Sequence, residues 1–246
     1  MTSPLDAPAH NDRALFVLSV LAQSKAAMTA AELVQATGLS QSTLYRQVAT
    51  LRRWGFVMES EGRYSPGPVS VQLASCFDGN SDLVMAARVD MRVLAQQSHE
   101  SVALITLVND RVVCLEMIDS EQSLRCSFDR GRSVPACDGA SAKCLLAHAP
   151  DDARDLLLDG LDEAPERRAE RVAELDAIRA AGHAVTHGEV DTGVWGASAP
   201  VLVTGRRLRL RGAITLMAPL TRVEGVEAAL VRMTVVTAAR ISRALQ

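Results

Sequence analysis

Residues 38–55 read GLSQSTLYRQVATLRRWG. Stepped at about 100° per residue from Gln41, this segment sorts into two helix faces. Leu44, Val48 and Leu51 form an apolar stripe, and Ser42, Arg46, Ala49 and Arg53 lie opposite, flanked by Tyr45 and Thr50. Ser40 is placed to cap a helix that runs from Gln41 to about Trp54 and ends at Gly55. No acidic residue occurs between Gln41 and Trp54, whereas Arg46, Arg52 and Arg53 do. The polar face is therefore either a plain solvated surface or a surface that binds something anionic.

The flanking sequence favours the second reading. Thr29 with Glu32 three residues on is a capping-box pattern, opening a short helix from Ala30 to Thr37 with Leu33 and Val34 inward. Gly38 stops it, and Leu39 fills the turn. Two helices so joined form a helix-turn-helix, whose second helix enters the DNA major groove. Upstream, Asp12 is placed to cap RALFVLSVLAQS, which is apolar nearly all round and so calls for burial on more than one face. Its second face, Leu15 to Leu21, suits a subunit contact. Downstream, residues 56–60 and 63–65 read as two strands turning at Glu61-Gly62, a hairpin in the position of a wing. The candidate DNA contacts are Ser40, Gln41, Ser42, Thr43, Tyr45, Arg46, Thr50 and Arg53 on the helix and Arg63 on the wing. Ser42, Tyr45 and Arg46 suit base edges or phosphate, and Thr43 suits phosphate. A three-helix domain with a solvated face is the alternative; the hairpin and the missing acids weigh against it.

Composition narrows the classes. The 246 residues are 48% hydrophobic and 22% charged, as in a globular protein of one large or two modest domains. Aromatics are only 3%, which disfavours base stacking on single strands. Net charge is −3 and the sequence pI about 6.0, so a DNA-binding surface has to be local. The five cysteines have no CxxC spacing and an odd count, which suggests reduced buried thiols rather than a zinc site or disulfides. Residues 1–11 look disordered, with neither a signal peptide nor a membrane span in view, and a cytoplasmic location is expected.

From residue 82 the pattern changes. DLVMAARVDMRVLAQQSHE reads as a long helix, and SVALITLVND and RVVCLEMID as strands joined at Asn109-Asp110. SLRCSFDRG is a candidate third strand and GASAKCLLAHA a buried helix. Residues 151–181 are helical and charged, with strands near 183–189, 197–203 and 208–217 and a last helix from Arg222 to Leu245. Helices and strands around one sheet make an α+β domain. The organisation expected is a DNA-binding domain at 12–68, a linker helix and break at 69–81, and a second domain at 82–246.

The helix opened by Ala140 and Ser141 would present free backbone N–H groups, which favour an anion such as a carboxylate. A plain helix cap is the other reading of Ser141. Two enzyme readings are weaker. His187, Glu189 and Asp191 alternate and would share one face of a strand, a trio able to hold a metal, but Gly188 and Gly193 make the region loop-like. Ser141 and Lys143 are two apart on a helix and do not face each other, and no triad signature accompanies them.

The whole chain resembles the IclR-type bacterial transcriptional regulators. RALFVLSVLA, ELVQATGLSQSTLYRQVATLRRWGFV and RYSPG look like that family's winged helix-turn-helix. HESVALITLVNDRVVCLEMID, GRSVPACDGASAKCLLA, LDAIRAAGHAVTHGEVDTGVWGASAPV and TLMAPLTR look like its effector-binding domain, in the family's order over roughly residues 13–243. The resemblance implies a GAF-like α+β fold, a small metabolite ligand, commonly a carboxylic acid, and dimers or dimers of dimers on a palindromic operator. It implies ligand contacts at Ala140, Ser141, His187, Gly196, Thr215 and Met217, with His187 as a hydrogen-bond donor near an acid. Core packing is the competing role for Met217. No cofactor or metal is implied. Three positions depart from the family pattern: Ala142-Lys143 stands for Gly-Lys, Gly196 for Cys or Ser, and Pro66 for Leu. The reading is thus a ligand-responsive DNA-binding regulator of catabolic genes. Its rival is a metal-dependent or serine-type hydrolase with an ancillary N-terminal domain.

Overall fold

The computed structural model describes residues 11–24, 26–161, 163–204 and 209–246. The disorder expected of residues 1–10 lies outside the described residues. The chain divides into two compact units between Asn80 and Ser81.

The first unit comprises α1 (Arg13–Gln23), β1 (Met28–Thr29), α2 (Ala30–Thr37), α3 (Gln41–Arg53), β2 (Val57–Ser60), β3 (Arg63–Pro66) and α4 (Val69–Asn80). The capping box forms as its residues dictate. The Glu32 N–H donates to Thr29 Oγ1 at 3.2 Å, and the Thr29 N–H donates to the Glu32 carboxylate at 2.6 Å. Gly38 takes φ +66°, a left-handed turn natural to glycine, and sets α3 across α2. Val17 and Leu21 of α1, Leu33 of α2 and Leu44, Val48 and Leu51 of α3 close one core with Val57 and Tyr64.

Three details differ from the sequence reading. The Asp12 side chain makes no cap bond; only its carbonyl serves, accepting from the Phe16 N–H at 2.8 Å. Of the face proposed for a subunit contact, Leu21 is instead buried in the unit's own core, while Leu15 is 65% exposed. The wing gains a third strand: β1 pairs with β3, Met28 opposite Tyr64, in the order β1-β3-β2. Two residues are too few to show a period of two.

The second unit begins with α5 (Asp82–Ser98), β4 (Ser101–Val108), β5 (Arg111–Ile118) and β6 (Ser133–Pro135). It continues with α6 (Ala140–His148), α7 (Asp151–Asp159), α8 (Pro165–Ala181), β7 (Ala184–His187), β8 (Val194–Val203), β9 (Arg209–Pro219) and α9 (Glu227–Ala244). The strands form one antiparallel sheet ordered β6-β5-β4-β9-β8-β7. Successive residues of β4 serve opposite faces: Val102 and Leu104 pack with α5 and α9, and Ala103 and Ile105 with α6. Strands covered on both sides read as apolar runs rather than alternations, which is why SVALITLV looks continuous.

Residues 123–131 are not a strand. Backbone bonding to β5 starts only at Gly131 and Arg132, where the Gly131 N–H donates to the Cys114 carbonyl at 2.8 Å and the Cys114 N–H to the Arg132 carbonyl at 3.1 Å, and the third strand is β6. The last helix starts at Glu227 rather than Arg222. Gly225, at φ +78°, breaks the path, and Arg222 instead clamps Glu100 through two bonds of 2.6 and 2.7 Å.

Candidate nucleic-acid interface and ligand cavity

Helix α3 buries Leu44, Val48 and Leu51 and leaves Gln41, Ser42, Tyr45, Arg46, Ala49, Thr50 and Arg53 exposed. The candidate residues divide by what they already bond. Ser40 is engaged as the cap, accepting from the Thr43 N–H at 3.4 Å and donating to the Thr43 hydroxyl at 2.9 Å. Thr50 donates back to the Arg46 carbonyl at 3.1 Å. Arg63 donates to the Ala27 carbonyl at 3.0 Å and lies 3.6 Å from Glu32, so the wing braces itself with this side chain. Arg52 pairs with Glu59. Arg53 lies over the Trp54 ring at 5.7 Å. Gln41, Tyr45 and Arg46 have no side-chain partner among the described residues, and Arg46 and Arg53, seven residues apart, share one stripe. An unpaired cation on an acid-free helix face suits phosphate or a guanine edge.

In the second unit a cavity of about 80 Å³ lies between the start of α6 and the sheet. One water needs only about 10–15 Å³, so there is room for a small molecule. Ala140, Ser141, Gly196, Thr215 and Met217 all line it. His187 does not. Neighbouring strand residues point to opposite faces, and Thr186 lines the cavity instead, while His187 Nε2 lies 3.0 Å from Glu227. The remaining walls, including Ile105, Val112, Val134 and Phe128, carry no local signal that reveals them; the first three meet through strand pairing, and Phe128 comes from a segment that is not a strand.

The opening of α6 is already occupied. The Gly139 N–H donates to the Glu189 carboxylate at 3.2 Å, and the Ala140 N–H to the Thr186 hydroxyl at 3.1 Å. The anion expected there is thus in part the protein's own. Gly139 takes φ +87°, and a Cβ on it would sit 2.6 Å from Val190. Lys143, 7% exposed, donates to Glu174 at 2.6 Å and Glu189 at 2.7 Å. Burial alone would lower its pKa, but the two carboxylates outweigh burial and hold it above 10.5. The Ser141 hydroxyl bonds Thr215 at 3.0 Å, and Thr215 bonds Ser198 at 2.9 Å. Ser141 and Lys143 thus have separate partners and form no nucleophile–base pair. Burial pushes the Cys114 thiol on the cavity wall up to about 11, where it stays protonated. Gly196 is part of the wall: a Cβ there would lie 3.4 Å from the Ala140 methyl. His187, Glu189 and Asp191 do not converge, and among the described residues no group of three acids, histidines or cysteines could hold a metal.

Comparison with known proteins bears on both sites. Residues 12–60 match the IclR helix-turn-helix domain, and residues 78–243 match the bacterial transcriptional regulator IclR C-terminal domain. The HTH-type transcriptional regulator TtgV of Pseudomonas putida is 32% identical over 143 residues, 57% of this chain. The match spans about half of TtgV, 54% of its length. The HTH-type transcriptional regulator KdgR of Escherichia coli K12 is 31% identical over 181 residues, 69% of this chain and 68% of its own. An IclR homologue from Microbacterium hydrocarbonoxydans, solved in complex with 4-hydroxybenzoate, shares the fold with a TM-score of 0.74 at 20% identity, over 96% of this chain and 99% of that one. These curated relatives are named as regulators and not as enzymes. With both halves matched in order, the chain belongs to the IclR family of transcriptional regulators, a helix-turn-helix DNA-binding domain followed by an effector domain.

Proposed function

We propose that this regulator binds a palindromic operator as a dimer, or a dimer of dimers, and that a small carboxylic acid in the cavity controls a nearby set of catabolic genes. The observation that carries the reading is Arg46, without a side-chain partner among the described residues, on the acid-free face of α3 in a chain of net charge −3. Gln41, Ser42, Tyr45 and Arg46 read bases and phosphates, Arg53 holds phosphate, and Ser40 and Thr43 fix the helix start. Arg63, already braced within the wing, contributes charge at most. On this reading residues 12–68 are the DNA-binding domain, 69–81 a linker helix and break, and 82–246 the effector-binding domain, and the protein works where its DNA is, in the cytoplasm.

The ligand is a compact monocarboxylate with an apolar body, of the kind that 4-hydroxybenzoate represents in the Microbacterium protein. Ala140, Gly196 and Met217 shape its seat, and Ser141 and Thr215 supply hydroxyls. It acts by binding two arrangements of the reading heads with different affinity, since equal affinity would shift nothing. On a palindrome the heads must match half-sites about 34–36 Å apart. The test is binding of the full chain to the DNA upstream of its own gene across a salt series. Affinity is expected to fall steeply and linearly on a log–log scale. Salt-independent binding, or none, would remove the DNA-binding reading.

A further inference from the structure

Three cations stand at or behind the cavity, and two of them are taken. Lys143 is held by Glu174 and Glu189. Arg171 grips Glu163 at 2.7 Å and lies 3.7 Å from Asp138, donating also to the Cys137 carbonyl at 2.6 Å. Arg132 differs. It lines the cavity, its guanidinium carbon lies 4.9 Å from the centroid of the Phe128 ring, and its side chain has no hydrogen-bond acceptor or carboxylate among the described residues. A guanidinium lying on an aromatic face keeps its N–H fork free in its own plane, and that fork matches a carboxylate bidentately.

The helix start offers the opposite condition. A carboxylate arriving at Gly139 and Ala140 would meet the Glu189 carboxylate and the Thr186 hydroxyl already bonded there. The Glu189 charge is itself offset by Lys143 at 2.7 Å, so what an arriving carboxylate lacks there is those two N–H donors, and the helix dipole is shared rather than free. Of the other acids lining the cavity, Asp138 is offset by Arg171, which leaves Asp191, exposed at the rim, as the one that opposes an anion.

Building on the carboxylic-acid reading above, we infer that Arg132 is the residue that recognises the effector's carboxylate, the Gly139 and Ala140 N–H groups being taken by Glu189 and Thr186. The apolar body then lies against Ile105, Val134 and Met217. Arg132 is a specificity-determining residue: it selects acids over their neutral isosteres. Asp191 weakens that selection from the rim.

The experiment is calorimetry on the full chain with two matched pairs, benzoate with benzamide and phenylacetate with phenylacetamide. Wild type is expected to prefer each acid over its amide by roughly tenfold to a hundredfold, the size of a charge-assisted contact. Arg132→Gln is expected to remove that preference while leaving amide affinity within about twofold, and Arg132→Lys to keep part of it. Asp191→Asn is expected to strengthen acid binding a few-fold, about the effect of one partly screened charge. The melting temperature of each unliganded variant verifies folding. If both acids bind wild type and Arg132→Gln keeps the preference, the Arg132 assignment is overturned and the carboxylic-acid reading stands. A gain in acid binding confined to Glu189→Gln would move the recognition to the helix start. If neither acid binds wild type, the carboxylic-acid reading falls, and Arg132 with it.

Discussion

The polar face of α3 and the cavity of the second unit are the two contact sites proposed above, and they are made from opposite kinds of material. The face is one helix, Gln41–Arg53, and its chemistry follows from a period of 3.6. The cavity joins Ile105 of β4 to Met217 of β9 through strand pairing and helix packing. A change on the face should act at its own side chain, whereas a change in the cavity wall should act on whatever the wall encloses. The two sites should also fail separately, because each has its own core.

The harshest way to break the comparison is Leu44→Ala. Leu44 is fully buried in the first core, and its truncation is expected to cost about 2–5 kcal/mol of that unit's stability. Denaturant unfolding should show the loss, with operator binding falling alongside. Acid-induced stabilisation of the second unit should persist; its disappearance would mean that the two sites do not fail separately. Gly196→Val is the counterpart in the cavity. Its Cβ would meet Ala140 at 3.4 Å and its methyls would fill the space beyond, an overpacking cost of about 1–3 kcal/mol. Ligand-induced thermal shifts should vanish while unliganded operator affinity stays within about twofold, a limit far below the tenfold that each 1.4 kcal/mol brings.

The smallest contrast is in alkali. Burial raises Cys144 to about 12 and Cys114 to about 11, from 9.0, and Lys143 is held above 10.5. Each group keeps its proton longer folded than unfolded, so the native state binds more protons as pH rises. Their stabilisation is complete below the unfolded values and is lost as pH climbs through the folded ones. The second unit should soften from about pH 9 upward, the unfolded value of its thiols. Tyr64, the raised group of the first core, starts from 10.0, and burial is the main cause. Melting curves resolved for the two units across this range check the order; earlier softening of the first unit would contradict it.

How much was legible in the sequence follows the same division. Ser40, Gly38, the Thr29–Glu32 box and the Leu44-Val48-Leu51 stripe are local, and each stands where its pattern puts it. Ala140, Ser141, Gly196, Thr215 and Met217 reach the cavity through family resemblance rather than any local pattern. His187 shows the limit: a strand reading gives the alternation but not which face is the inner one, and Thr186 holds the inner place. Glu189 at the α6 start was out of reach, because its partner Gly139 lies 50 residues away. Arg132 and Phe128 are neighbours in the chain, but nothing local shows that their segment meets the cavity walls from β4, β8 and β9. The strand expected in 123–131 failed for a related reason, since pairing to β5 decides where a strand begins.

The central claim, that the acid-free face of α3 binds DNA through Arg46, is tested most directly by Arg46→Ala. Affinity for the DNA upstream of the gene is measured for wild type and variant over a series of salt concentrations. The account predicts a loss of about 1–3 kcal/mol if Arg46 reads a base, or a log–log salt slope shallower by about 1 if it holds phosphate. Unchanged affinity with an unchanged slope would contradict it.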